Sequence, residues 1–244
     1  MLPPGRRRRY LCQHSRRLPG ALRAVVRRMS KTPSSEKLFI GGPAGRLEAI
    51  IESPADGAPV GNVVVCHPHP QYGGTMHNKV AHTLARAFVR LDFSVLRFNF
   101  RGTGASEGHY DEGIGELDDA SAAIAWLQQH NSAHLLWLAG FSFGAAIAVR
   151  AAACRQVSGL ISVAPAASRL ATNLVSQPQC PWLIVQGDED ELVDVDDTIE
   201  WVNTLDPGPE LLIFPGSEHF FHGRLIELRE SVMRFVRNEL PSSD

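Results

Sequence analysis

The segment "HLLWLAGFSFGAA", residues 134–146, runs from bulky apolar residues through Gly140-Phe141-Ser142-Phe143-Gly144 into small ones. The first part reads as a buried strand and the last as the start of a tightly packed helix. Ser142 sits at the junction, where two readings compete. One is a helix N-cap, the ordinary task of serine at such a place. The other is a nucleophile held on a tight turn, with Gly140 and Gly144 allowing close approach of neighbouring chain. Choosing between them requires partners elsewhere in the sequence.

Outward from this junction the same alternation repeats. Strand-like runs are "KLFIGG", "RLEAIIES", "NVVVCH", "FSVLRFNF", "HLLWLAG", "GLISVA", "PWLIVQG" and "ELLIFPG". Helix-like runs between them are "HNKVAHTLARAFVRLD", "ELDDASAAIAWLQQH", "FGAAIAVRAAAC", "VDDTIEWVNTL" and "LIELRESVMRFVRNEL". The first two strands, joined by Pro43-Ala44-Gly45, are expected to form an antiparallel hairpin. The rest are continuous apolar runs, as buried parallel strands are. The expectation is one α/β domain over residues 36–244, with a mostly parallel sheet of about eight strands and helices on both faces.

Such a sheet places reactive groups at the carboxyl ends of its strands. "PWLIVQG" runs into Asp188, Glu189, Asp190 and Glu191, and "ELLIFPG" into Ser217, Glu218 and His219. A serine hydroxyl needs a base, and an imidazole base needs a carboxylate to fix its tautomer. The chain order is serine, acid, histidine. The helix that follows Ser142 directs the Phe143 amide toward any anion formed beside it.

With these residues in view, the chain from about Glu36 resembles an α/β-hydrolase. Gly140–Gly144 matches the nucleophile elbow, "GDED" the acid loop and "GSEHFF" the histidine loop. "CHPHPQYGGTMHNKV" and "FNFRGTGASEGHYDEG" are similar to segments of short bacterial hydrolases comparable in size to dienelactone hydrolases. The resemblance implies Ser142 as nucleophile and His219 as general base. It favours Asp190, three residues after Gly187, as the acid, with Asp188, Glu189 and Asp194 left open. His222 competes with His219 but suits a rim or helix-start position. The "HPHP" segment corresponds to the oxyanion loop. Pro68 has no N–H, so the His69 amide is expected to join that of Phe143, with Gln71 as fallback. Larger relatives insert a lid after the strand "GLISVA"; here only "AASRLATNLVSQPQC" separates Pro165 from Pro181. No lid domain is expected.

The expected function is a serine hydrolase acting on carboxylic esters or thioesters with small or accessible acyl groups. The alternatives are a peptidase or amidase, or a catalytically silent binding protein on the same scaffold. No cofactor is implied. His67, His69, His77 and His82 lack the spacing of a zinc site. Gly102, Gly104 and Gly108 do not fit a dinucleotide loop. Arg101 is expected to pair within the fold, Asp118 and Asp119 to serve the dipole of a nearby helix, and Phe141, Phe143, Tyr72, Phe220 and Phe221 to line the cleft.

The charge is unevenly spread. Before Glu36 there are ten basic residues and no acid; from there on 14 basic residues face 26 acidic ones, a net of −12. That body offers no field for nucleic acid. Residues 1–35 read as a basic disordered leader, as a start-site artefact with translation beginning near Met29, or as a targeting segment. The leader has no apolar run of membrane-spanning length. Cys12, Cys66, Cys154 and Cys180 form no C-x-x-C pair and read as reduced thiols, mostly in the core. A cytoplasmic enzyme with a small-molecule ester or thioester substrate is the expectation, with oligomeric state left open.

Overall fold

The computed structural model describes residues 32–55, 58–167, 170 and 176–241, so the readings made for most of the basic leader and for Cys12 lie outside the described residues. Strands β1 (Ser34–Gly42) and β2 (Gly45–Ser53) pair antiparallel along their whole length. β2 then pairs antiparallel with β4 (Ser94–Phe98). The remaining pairs, through β3 (Gly61–Cys66), β5 (Leu135–Phe141), β6 (Gly159–Val163), β7 (Trp182–Gly187) and β8 (Glu210–Phe214), are parallel. The strand order is β1-β2-β4-β3-β5-β6-β7-β8. Every residue of β3, β4, β6 and β7 is buried, because helices cover both faces. β1 lies at the edge and is mostly exposed, and its charged Glu36 and Lys37 suit that place.

Among the described residues, five helices form the outer layers. Helix α1 (Lys79–Val89) and the last helix, α5 (Leu225–Glu239), pack on one face around a core containing Phe88, Phe93, Trp137 and Phe235. Asn78 starts α1, its Oδ1 accepting the amides of Val80 and Ala81. Helices α2 (Ile114–His130), α3 (Phe143–Ala153) and α4 (Val195–Asn203) cover the other face. Of the three described thiols Cys66 is buried, Cys180 only half-buried and Cys154 exposed, so these are not mostly core residues. Only residues 164–181 separate β6 from β7, a length that leaves no room for a lid domain.

Chain order decides where the crevice lies. After β3 the chain moves outward to β4, then crosses back to place β5 on the other side of β3. The carboxyl ends of β3 and β5 therefore flank a topological switch point, where open α/β sheets bind ligands. The loop after β4 that borders this region is anchored by Arg101. Its backbone N–H and Nε donate to Asp119 Oδ2 at 2.9 and 3.0 Å, and Nη2 donates to Oδ1 at 2.8 Å. Arg101 thus pairs inside the fold, as expected. Asp119, however, does not serve a helix dipole: it lies in the second turn of α2 with no exposed side-chain surface, as the counter-ion of Arg101.

Removing one member of a buried ion pair strands the other charge, at about 3–5 kcal/mol. Asp119→Ala should therefore lower the urea unfolding free energy by that amount. A loss below about 1 kcal/mol, the range of exposed pairs, would contradict the buried-pair account.

Candidate active site

Ser142 lies between β5 and α3 with φ 55° and ψ −119°. Positive φ in a non-glycine residue costs of order 1–3 kcal/mol and persists only where its surroundings impose it. Here the Ser142 amide donates to Val163 O of β6 at 2.8 Å, while its carbonyl accepts from Ala145 and Ala146. A Cβ on Gly144 would run into the carbonyls of Cys66 and His67, and one on Gly140 into the backbone of Gly144 and Ala145. Only glycines allow α3 to start this close to β3. The Ser142 side chain makes no capping bond, so the N-cap reading fails on geometry.

The acid and histidine loops leave the neighbouring strands β7 and β8 and meet over their ends. Asp190 Oδ2 accepts from His219 Nδ1 at 2.8 Å, with both side chains essentially buried. A carboxylate can only accept, so the proton sits on Nδ1, and in the neutral imidazole Nε2 is left with a lone pair. The other acids are used elsewhere. Asp188 accepts the Gly216 amide, Glu189 is exposed, Glu191 accepts the His219 amide at 3.2 Å, and Asp194 caps α4. His222 is exposed and bound to Glu218.

Sequence reading missed Gln186. Its Nε2 donates to the same Asp190 oxygen at 2.9 Å, while the amides of Leu192 and Val193 hold the other oxygen at 2.9 and 2.8 Å. The signal was a glutamine in an otherwise apolar buried strand, where a polar group needs a partner. Burial by itself would raise the Asp190 carboxyl; the hydrogen bond and charge of His219 and the Val193 and Leu192 amides outweigh it. The group titrates below the ordinary aspartate range.

Across the crevice, the loop after β3 is shaped by His67. This ring is fully buried; its Nε2 accepts the Phe100 amide at 3.0 Å and its Nδ1 faces Pro68 O at 2.6 Å. With Nε2 accepting, the proton sits on Nδ1. Burial drives the His67 pKa down to about 4, so it is a neutral brace. His67 and His69 thus serve different structures, and no group of three or more His, Cys, Asp or Glu among the described residues is placed to hold a metal ion. The Gln71 amide turns toward His69 Nδ1 at 3.3 Å, whereas His69 lines the cavity that contains Ser142. Phe143 is the first residue of α3, where an amide has no acceptor within the helix.

Ser142, His219, His69 and Phe143 share one cavity of about 630 Å³. Tyr72, Leu192 and Phe220 form its exposed apolar rim. Phe141 and Phe221 do not line it. Both are fully buried, Phe141 lying tilted against the His219 ring with centroids 4.9 Å apart.

Comparison with known proteins agrees with this architecture. The family model described as serine aminopeptidase, S33, matches residues 57–175. A lid-less α/β serine hydrolase from Xanthomonas campestris is 41% identical, with a TM-score of 0.81 over 88% of this chain and 99% of its own. An α/β serine hydrolase homologue from Coxiella burnetii is 46% identical, with a TM-score of 0.78 over 82% of this chain and 96% of its own. An uncharacterized protein of Rickettsia prowazekii (strain Madrid E) is 34% identical over 211 residues, 82% of this chain and 88% of its own. With this fold and these relatives, the chain belongs to the α/β serine hydrolases.

Proposed function

We propose that the protein hydrolyses carboxylic esters or thioesters, with Ser142, His219 and Asp190 as its catalytic triad. The observation that carries this reading is a strained, uncapped serine sharing one cavity with a histidine bound to a buried carboxylate. Ser142 Oγ attacks the carbonyl carbon while His219 Nε2 takes its proton. The amides of Phe143 and His69 receive the oxyanion. Collapse of the tetrahedral intermediate expels the alcohol or thiol, which takes the proton from His219. Water, deprotonated by the same nitrogen, then releases the acid and regenerates Ser142. Asp190 stays ionised and stabilises the imidazolium.

The cavity favours an ester over an aminoacyl substrate. Among the described residues no Asp, Glu, Lys or Arg lines it, so a free α-ammonium group would find no carboxylate there. Its apolar rim and lid-less surroundings suit a small or accessible acyl group.

The deciding experiment is hydrolysis of p-nitrophenyl esters from acetate to palmitate, with aminoacyl p-nitroanilides alongside. Short esters should be the best substrates, and Ser142→Ala should lose their turnover while keeping the wild-type circular dichroism spectrum. Faster cleavage of the anilides, or full activity in the variant, would overturn the proposal.

The oxyanion assignment has its own test, because the His69 φ of −54° is one that proline adopts. His69→Ala keeps the backbone N–H and His69→Pro removes it; turnover of the proline variant should be lower by about 10²–10³. Equal rates would assign the donor elsewhere.

A lowered native pKa at Asp190 means that the unfolded chain binds the extra proton first. Its contribution to stability is complete above the ordinary value of 3.8 and disappears as pH falls through the lowered one. Urea midpoints measured on descending pH should fall more steeply in this acid window for the wild type than for Asp190→Asn. At neutral pH the same variant should lose up to about 10⁴ in turnover, because an amide no longer enforces the imidazole tautomer.

A further inference from the structure

A second cavity, of about 680 Å³, adjoins the one that holds Ser142, and His69, Tyr72, Phe143 and Ala146 line both. The two differ in charge. Arg150 lines only the second and is the single Lys or Arg among the described residues lining either. Arg150 is also the one charged residue of α3, a helix in which nine of eleven residues are buried. The buried arginines at 97 and 101 are each neutralised by a carboxylate, from Glu52 and Asp119. Among the described residues no carboxylate lies within ion-pair distance of Arg150, and the guanidinium donates from Nη1 to the Gly113 carbonyl at 2.7 Å. A half-buried guanidinium with donors to spare is suited to bind an anion bidentately.

Its position relative to the nucleophile is set by the helix. Ser142, Ala146 and Arg150 follow one another at four-residue spacing, so they share a face of α3. The axial rise from 142 to 150 is on the order of 12 Å. Helical side chains lean toward the N-terminus, which brings the guanidinium back toward Ser142. The contacts around Gly113 agree: Arg150 Nη1, the Phe143 ring and the Ile147 side chain converge within 3.4–3.6 Å of one point there. The guanidinium therefore lies close to the wall shared by the two cavities.

We infer that Arg150 is a specificity residue for esters that carry a carboxylate a short chain away from the scissile carbonyl. This rests on the ester-hydrolase reading above and narrows its substrate class. The neutral end of the molecule occupies the cavity with Ser142, and the carboxylate passes the His69–Phe143 wall to the guanidinium. Glu112, exposed and in the same cavity, opposes such an anion, but solvent screens an exposed charge more than a half-buried one. The Glu116 carboxylate is engaged with the amides of Asp111 and Gly113.

The test compares kcat/KM for monomethyl adipate and monomethyl suberate with methyl hexanoate and methyl octanoate at low salt. A hydrogen-bonded charge pair should favour the anionic esters by about tenfold or more. Arg150→Met should bring that ratio to unity, mainly through KM, and Arg150→Lys should restore part of it. Glu112→Gln should raise it. A role limited to holding Gly113 would lower the rates of both ester classes by one factor and leave the ratio unchanged, which would overturn the inference. So would hydrolysis of neutral esters by the wild type with no preference for anionic ones, a result that leaves the ester reading intact. Hydrolysis of neither class would overturn the ester reading itself, and this inference with it.

Discussion

The close approach of α3 to the end of β3 is the constraint on which the rest of the site depends. Gly140 and Gly144 let the elbow fold so tightly that Gly144 rests against the Cys66 and His67 carbonyls. Ser142 is driven into positive φ by that contact and by the hydrogen bond its amide donates to the Val163 carbonyl of β6. Its hydroxyl is consequently left without the local capping bond that serine usually makes. The cost in backbone strain is offset by burial of nearly the whole of α3 against the sheet.

That packing also brings the other elements into register. Since β3 and β5 are neighbours, the His69 loop and the first amide of α3 stand side by side at the switch point. On the far side, the pairing of β7 with β8 brings two loops distant in sequence to one point, where Asp190 meets His219. Four donors surround the Asp190 carboxylate: two backbone amides, a glutamine and the imidazole. A carboxylate held in this way stays ionised and has little freedom to move, which suits a group that orients another.

The polar groups beneath the site are neutral or paired, and this bears on Arg150. His67 is uncharged through burial, Arg97 and Arg101 are matched by carboxylates, and Glu116 is used by backbone amides. Against that background a half-buried cation next to the cleft, without a counter-ion among the described residues, stands out as a group available to a ligand.

Much of this was legible in the chain. Eight strand-like runs correspond to the eight strands: the first two, joined by a turn, form the edge hairpin, and burial on both faces leaves β3, β4, β6 and β7 as continuous apolar runs. Ser142, the four-acid segment and His219 were legible as strand-end residues, because a parallel sheet directs such residues to one edge. Other features required tertiary contacts. Asp190 was separated from Asp188, Glu189 and Asp194 by which oxygen reaches His219, a matter of loop path rather than residue type. Asp119 looked like a helix-dipole residue until the fold buried it against Arg101, and Phe141 and Phe221 looked like cleft residues until the fold enclosed them. Gln186 and Arg150 acquire their places only when strand pairing and helix packing supply neighbours far away in the chain. The sequence by itself determined the order of elements and the kinds of group at their ends, since periodicity and side-chain chemistry are local. Which groups meet, which are buried and which remain open to a ligand was decided by the tertiary structure, because those depend on contacts between residues remote in sequence.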